Sequence, residues 1–207
     1  MQFSLLKVEK PNNLKRLSKN KINFFNKKNE EISLFHFNKF DDSLFHVVLL
    51  INDEYQIGTK KLGEQFNYPY SSLVNMFFIL NVNYMLMEHI NNNYTNEAME
   101  YVSNMTKTRL NQTTINNEMI IKLYKLFEGT IKKVEYRNEY DEMYDLDYAT
   151  EDDFNQIANN YTIDLLTLLV DNRFISLNRK GKITVDNSDE NFLVNFTKRI
   201  LTTNVMA

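Results

Sequence analysis

The stretch TKKLGEQFNYPYSSLVNM, residues 59–76, decides the predicted fold. Its first half places Leu62 and Phe66 four residues apart, which is the spacing of one face of a helix. Tyr68 precedes Pro69 and is therefore biased away from helical geometry, so the first helix is expected to end there. A second helix can begin directly after the proline. The stretch thus predicts two short helices joined by a turn.

Apolar runs on either side extend this helical pattern. The run from Leu44 to Ile51 is apolar nearly all round and follows Asp41 or Asp42, either of which can accept hydrogen bonds from the first free amides of a helix. We therefore expect a buried helix at residues 41–51. After the proline, one helical face collects Leu73, Met76, Phe77 and Leu80.

The C-terminal half shows the same periodicity and one departure from it. Apolar residues at helical spacing predict helices at about 114–127, 163–170 and 190–201. The segment FISLNRKGKITV, residues 174–185, instead alternates like two strands around a turn at Gly181. The predicted fold class is therefore mainly α with a small β-hairpin.

Charge is unevenly distributed along the chain. Residues 1–28 hold eight Lys and Arg against Glu9 alone, whereas residues 135–153 hold nine Asp and Glu against Arg137. This segregation indicates either a basic arm for nucleic acid or two segments that meet each other. The expected parts of the chain are a basic N-terminal arm at 1–30, a helical domain at 31–112, a helix with an acidic, Tyr-rich extension at 113–150, and a helix–hairpin–helix unit at 151–207.

Composition excludes several classes of function. The chain has 207 residues, 43% of them hydrophobic, which predicts a folded protein, and it has no cysteine for a disulfide, a thiolate metal site or a nucleophile. Its 4 glycines form no phosphate-binding loop, and His36, His46 and His89 lack the spacing of metal ligands. With no signal sequence and no long apolar run, we expect a cytoplasmic protein that is not an enzyme, needs no metal or cofactor and binds no membrane.

Residues 59–76 resemble the helix-turn-helix of regulators from bacteria, phages and plasmids. That motif has apolar residues at its fourth, eighth, tenth, fifteenth and eighteenth positions, a small residue at the fifth, and a residue that tolerates left-handed geometry at the ninth. These positions hold Leu62, Gly63, Phe66, Asn67, Tyr68, Leu73 and Met76. The chain departs from most DNA-binding proteins in having no Lys or Arg between Lys61 and Lys107.

The predicted helix and hairpin at residues 162–185 are similar to the recognition helix and wing of winged-helix domains. The two resemblances, over residues 41–81 and 162–185, imply a winged-helix-like fold of one or two tandem units. They also imply a sequence-specific protein for double-stranded DNA, either a transcriptional regulator or a plasmid or phage replication factor, acting as a homodimer. Groove contacts are expected from Tyr70, Ser71, Ser72 and Asn75, and phosphate contacts from Lys60, Lys61, Arg179, Lys180 and Lys182. For residues 59–76, the simpler alternative is a pair of amphipathic helices, joined by the Tyr-Pro turn, in an ordinary helical core.

The acidic segment supports a different hypothesis. Tyr136, Tyr140, Tyr144 and Tyr148 are four residues apart, so in a helix they would form one stripe flanked by carboxylates. The alternative function is a protein-binding inhibitor or adaptor from a mobile element, which acts through residues 135–153 and binds no DNA. More often such a stripe is the buried side of a solvated helix, and a third possibility is a clamp for the basic arm of the chain itself or of a symmetry mate.

Overall fold

The computed structural model describes residues 1–19, 31–40, 43–59, 61, 63 and 65–202, and its main element is a large antiparallel β-sheet. The strands of the described chain are β1 Gln2–Val8, β2 Ile32–Lys39, β3 Leu44–Gly58, β4 Gln65–Ile79, β5 Tyr84–Glu88, β6 Leu110–Gln112, β7 Thr130–Arg137, β8 Met143–Asp147, β9 Thr162–Val170, β10 Arg173–Asn178 and β11 Lys182–Val185. The helices are a 3₁₀ helix Pro11–Lys19, α1 Asn92–Thr106, α2 Asn117–Phe127, α3 Glu151–Asn160 and α4 Glu190–Thr202. The predicted mainly α, winged-helix-like fold is therefore wrong.

The sheet runs in the order β2-β3-β4-β5-β1-β11-β10-β9-β7-β8, which places β1 in its middle. On one edge, β1 pairs with β5, so that Phe3 lies opposite Glu88. The other edge is shared: β11 pairs with the first half of β1, and β6 pairs with the second half, where Leu110 lies opposite Val8. β1 therefore joins the N-terminal and C-terminal halves of the sheet.

The turn between β10 and β11 fits closely against β1 and β6. The Leu5 N–H donates to the Gly181 carbonyl at 2.8 Å, and the Thr113 N–H donates to the Leu5 carbonyl at 3.1 Å. Gly181 has a φ of +75°, and a Cβ atom there would lie 1.8 Å from the Thr113 carbonyl oxygen. Only glycine fits both the backbone conformation and the space.

Two hydrophobic clusters lie on opposite faces of the sheet. On β1, Phe3 and Leu5 belong to the first cluster, and Leu6 and Val8 belong to the second, as expected for side chains that alternate along a strand. The first cluster packs beneath α2, α3 and α4, with Phe154 and Phe196 among its fully buried members. The second packs beneath the 3₁₀ helix and α1. The sheet thus has a core on each face.

Burial on both faces, which is complete in much of β3 and partial on the second face of β9, explains why these two strands resembled helices in the sequence. Leu44–Ile51 and Ile163–Val170 were expected to be helical, but they form parts of β3 and β9. A strand that packs on both faces carries apolar residues at successive positions, so its sequence lacks simple alternation. Asp41 and Asp42, the expected helix caps, lie outside the described residues.

The helix-turn-helix prediction is contradicted at residues 59–76. Residues from Gln65 onward form β4, which pairs with β3 in one continuous hairpin. Pro69 is tolerated because β4 has no further neighbouring strand at that position, so the missing N–H breaks no ladder hydrogen bond on that side. Leu62, the first apolar position of the motif, lies outside the described residues.

The tandem winged-helix prediction is also wrong at residues 162–185, since β9, β10 and β11 are adjacent strands of the same sheet. At the other end, Gln2–Val8 lies within the sheet and Pro11–Lys19 packs on it, where an arm was expected; residues 20–30 of that segment lie outside the described residues. Three local predictions are confirmed: α2, α4 and the β10–β11 hairpin. Asn116 caps α2 by accepting from the Met119 N–H at 2.9 Å.

Candidate functional site

The outer halves of β3 and β4 form a two-stranded ribbon, which we call the β3–β4 arm and define as residues 52–58 and 65–71. β2 pairs with β3 only as far as Ile51, and β5 pairs with β4 only at 76–78, so beyond Asn52, whose N–H donates to the Glu31 carbonyl, the arm residues pair as strands only with each other. Nearly every arm residue is exposed. The arm therefore extends beyond both hydrophobic cores.

One face of the arm is apolar. Tyr55 lies opposite Tyr68, and Ile57 lies opposite Phe66, which places all four side chains on the same face. Their exposed fractions are 59%, 54%, 53% and 47%, respectively. The other face is polar and consists of Asn52, Glu54, Gln56, Asn67, Pro69 and Ser71. The arm is thus amphipathic although no described part of the chain covers its apolar face.

A hydrogen-bonded cluster holds the root of the arm to α1. The Asp53 carboxylate accepts from the Tyr94 hydroxyl at 2.5 Å. The Tyr70 hydroxyl, which has a single proton, is within hydrogen-bonding distance of both Asp53 Oδ2, at 2.9 Å, and the Tyr94 hydroxyl oxygen. These hydrogen bonds, of which the one from Tyr94 has the largest effect, stabilise the carboxylate and hold the pKa of Asp53 below its ordinary value. The same contact raises the pKa of Tyr94, whose phenol stays neutral. The root is therefore a fixed negative charge flanked by aromatic rings.

An open cleft of about 830 Å³ lies beside this root. Four carboxylates line it, from Glu31, Asp53, Glu54 and Glu97, together with Tyr70 and Tyr94. No Lys, Arg or His among the described residues contributes to its lining. The cleft therefore offers carboxylates and tyrosine rings, the groups that attract cationic side chains.

The predicted groove-contacting residues do not form a helix surface. Ser71 lies on the polar face of the arm, and its hydroxyl donates to Asn52 Oδ1 at 2.8 Å. Tyr70 belongs to the arm root, and Ser72 lies opposite Ile51. Lys61 is exposed at the arm tip, and Lys60 lies outside the described residues. Tyr70 and Ser71 are close together, but on opposite faces of the ribbon.

Asn75 belongs to a separate polar network at the base of β4. Its side-chain N–H donates to Glu88 Oε2 at 2.6 Å, so its Oδ1 faces His46 Nε2 at 2.8 Å and makes that nitrogen the donor. The His46 ring stacks between Phe40 and Phe77, with ring centroids 5.7 Å and 4.7 Å away. Burial lowers the pKa of His46, and the Asn75 hydrogen bond opposes this only in part. Asn75 therefore has its side chain occupied within the protein.

The three predicted phosphate-binding residues of the hairpin lie in two settings. Arg179 and Lys180 occupy the β10–β11 turn, and the Lys180 side chain is exposed. Lys182 points away from them: its Nζ lies 2.8 Å from Ser4 Oγ and 2.8 Å from His89 Nδ1. Burial lowers the pKa of Lys182. Only the turn residues are thus available at the surface.

The acidic tyrosines lie on and around the β7–β8 hairpin instead of a helix. Tyr136 and Tyr144 are cross-strand partners with stacked rings 5.8 Å apart, Tyr140 is in the turn, and Tyr148 lies beneath the Lys132 ammonium. Tyr140 and Tyr148 are the most exposed, at 77% and 73%. A cleft of about 550 Å³ is lined by Tyr136, Asn138, Glu139, Tyr140, Tyr144, Asn160 and Tyr161.

Sequence reasoning missed the arm, although a signal for it was present. Apolar residues alternate at Tyr55 and Ile57, and again at Phe66, Tyr68 and Tyr70, which is strand periodicity. The weight given to the proline at position 69 concealed this alternation.

Comparison with known proteins adds no assignment, because the sequence matches no protein-family model and no curated protein. In the part of the chain that the structure describes, no three His, Asp or Glu side chains converge as a metal site would require. Among the same residues, no helix has both the length and the apolar character needed to cross a membrane.

Proposed function

We propose that this protein is a protein-binding adaptor, whose β3–β4 arm docks a partner that presents a basic and apolar segment. The observation that carries the proposal is the apolar face of the arm. Four large side chains, Tyr55, Ile57, Phe66 and Tyr68, share one face and are each about half exposed. An isolated two-stranded ribbon is marginally stable in water, and a contiguous exposed apolar surface marks an interaction site.

The acidic cleft supports a basic partner. Asp53 and Glu54 are in the arm, and Glu31 and Glu97 line the same cleft from outside it. A Lys or Arg beside Tyr70 would meet both carboxylates and an aromatic face, a combination that favours cations. Its apolar neighbours could then pack on the arm.

The size of the apolar face favours a partner that also fills the cleft. Half-exposed side chains of this size present about 400 Å² in total, and covering them would contribute about 10 kcal/mol before the cost of association is subtracted. A stable interface usually buries about 800 Å² on each side. Two arms packed together would fall short of that value, whereas a partner seated on both the arm and the cleft would approach it.

A random 12-residue peptide library displayed on phage tests this proposal. Selection on the purified protein should enrich peptides that carry Lys or Arg next to apolar residues. Their binding should weaken at least tenfold in a Tyr55→Ser, Tyr68→Ser variant and in Asp53→Asn. The matched control is Gln65→Ser, which alters an exposed position of β4 outside the cleft and should leave binding intact.

Two outcomes would overturn the proposal. If the Tyr55→Ser, Tyr68→Ser variant enriches the same peptides, the arm is not the docking surface. The same conclusion follows if the wild-type protein enriches no peptide. A concentration-dependent doubling of mass in light scattering, abolished by the same variant, would assign the arm to a homodimer instead.

The partner-binding surface predicted at residues 135–153 is separate from the arm and stays a prediction. What supports it is the exposure of Tyr140 and Tyr148 and the cleft beside Tyr144. Charge reversal by Glu139→Lys with Asp145→Lys should abolish partner binding if that surface is used, and should leave arm-dependent peptides bound.

A further inference from the structure

A surface of the opposite charge forms where the 3₁₀ helix meets the end of α1 and the β10–β11 turn. Residues 1–19, 101–117 and 176–183 hold ten Lys and Arg but a single acidic residue, Glu9, in a chain whose net charge is -3. We call seven of these cations the basic rim. They are Lys10, Lys15, Arg16, Lys107, Arg109, Arg179 and Lys180, of which all but the half-buried Arg179 are exposed.

Hydrogen bonds bring the first five rim cations together. The Arg16 guanidinium donates to the Thr106 carbonyl at 3.3 Å, at the end of α1. The Lys10 N–H donates to Thr108 Oγ1 at 2.8 Å, and the Glu9 N–H donates to the Arg109 carbonyl at 3.1 Å. The 3₁₀ helix and the loop after α1 are therefore held side by side, with their cations on adjoining surfaces.

The β10–β11 turn extends this surface along β6. The Ile115 N–H donates to the Arg179 carbonyl at 2.9 Å, and Gly181 contacts Thr113 directly. From Arg109 to Thr113 the chain runs as an extended strand of about 13 Å, at about 3.3 Å per residue. The rim is thus a strip of cations and not a single cluster.

The positive charge of the rim is not neutralised within the described chain. None of its seven cations forms an ion pair with a described carboxylate. Elsewhere in the described chain, Lys122, Lys133, Arg137 and Arg173 do form ion pairs. Like charges gathered in this way repel one another and attract a polyanion.

The neighbouring side chains favour nucleic acid over an anionic membrane. No large hydrophobic side chain is exposed among the described residues 9–19 or 103–114, whereas a membrane-binding surface would carry apolar anchors. The exposed residues between the cations include Asn12 and Ser18, which can hydrogen-bond to phosphate and sugar oxygens. We propose that the basic rim binds the phosphate backbone of nucleic acid without sequence preference. This surface shares no residue with the arm.

Fluorescence anisotropy with a labelled 20-base-pair DNA duplex of arbitrary sequence tests the proposal. The full-length protein should bind at about 50 mM KCl and lose at least tenfold in affinity at about 200 mM, since binding releases counterions from the phosphates. Lys107→Glu with Arg109→Glu should weaken binding at least tenfold and flatten the salt dependence. The matched control is Lys122→Glu with Lys125→Glu on α2, which changes the net charge equally and should alter affinity by less than twofold.

Equal losses of duplex affinity in the two charge-reversed variants would overturn the proposal, because the effect would then follow net charge alone. Absence of binding at low salt would overturn it as well. Binding to phosphatidylserine vesicles without binding to the duplex would reassign the surface to a membrane. Duplex binding by the Tyr55→Ser, Tyr68→Ser variant should be unchanged, which separates failure here from failure of the arm.

Discussion

Tyr55 and Tyr70 stack across the two strands of the arm, with ring centroids 4.3 Å apart and ring planes inclined by 24°. They are diagonal neighbours, since Tyr55 lies directly opposite Tyr68. Tyr70 in turn hydrogen-bonds to Asp53 and Tyr94. Tyr55 is therefore connected to α1 through Tyr70. The contacts that anchor the arm thus extend beyond the hydrogen-bonded cluster to the next pair on the same face, Tyr55 and Tyr68.

Removal of this stack should loosen the arm and leave the cores intact. In Tyr55→Ser, we expect amide hydrogens of residues 54–58 and 65–68 to exchange about tenfold faster, because a stacked aromatic pair contributes about 0.5–1.5 kcal/mol. The free energy of global unfolding should change by less than about 0.5 kcal/mol. Gln56→Ser, on the polar face, should leave exchange unchanged. Equal acceleration in both variants would show that the stack does not order the arm.

Asp53 should make the arm root sensitive to acid. Its pKa is below the ordinary 3.8 in the folded protein, so its stabilising contribution is present above that pH and is lost as pH falls through the folded-state pKa. The difference in unfolding free energy between wild type and Asp53→Asn should therefore be constant near neutrality and shrink below about pH 4. Urea unfolding at a series of pH values measures it. A difference that persists unchanged at about pH 3 would contradict the prediction.

The elements that sequence reasoning identified are those with local signals. α2 and α4 each bury one face, so their apolar residues recur at helical spacing, and the β10–β11 hairpin is marked by Gly181. β3 and β9 gave the wrong prediction because each carries apolar residues at successive positions. In β9 one face is buried and the other, with Leu165 and Leu169, is half-buried. That pattern does not distinguish a strand from a buried helix. The pairing of β1 with β11 depends on distant residues and leaves no local signal.

His46 should destabilise the protein at mildly acidic pH. Its pKa in the folded protein is below the ordinary 6.5, so as pH falls from that value the unfolded chain gains a proton that the folded chain does not. Stability should fall by up to about 1.4 kcal/mol per pH unit over this window. His89, whose pKa burial also lowers, contributes in the same range. His46→Gln should reduce the slope, and His46→Gln with His89→Gln should reduce it further; an unaltered slope would exclude both.

Two glycines with positive φ should respond differently to substitution. At Gly181, φ is +75° and a Cβ would lie 1.8 Å from the Thr113 carbonyl oxygen, whereas at Gly63, φ is +66° and nothing lies within 4 Å. Gly63→Ala should cost about 1–2 kcal/mol at most, from backbone strain alone. Gly181→Ala should cost several kcal/mol, since the β10–β11 turn must also move away from β6. Equal losses in urea unfolding would show that the close approach is not a constraint.

The candidate site was less predictable than the fold. Tyr70 and Asn75 were expected to act together on one helix, but Tyr70 belongs to the arm root and Asn75 to the His46 network on the opposite face of β4. A strand sends successive residues to opposite faces, so residues that share a helix surface are separated once the same segment is extended. Glu31 and Glu97, which line the cleft with Asp53, come from distant parts of the sequence.

The position of β1 also bears on how the protein folds. Gln2 and Thr184 are hydrogen-bonded neighbours although they lie 182 positions apart in sequence. Closing a loop of that length costs about 4.6 kcal/mol of chain entropy, which opposes the pairing of β1 with β11. Neither half of the sheet has a complete core without this strand. The two halves should therefore gain and lose structure in a single cooperative transition, and folding should be slow for a chain of this size because its decisive contacts are so remote.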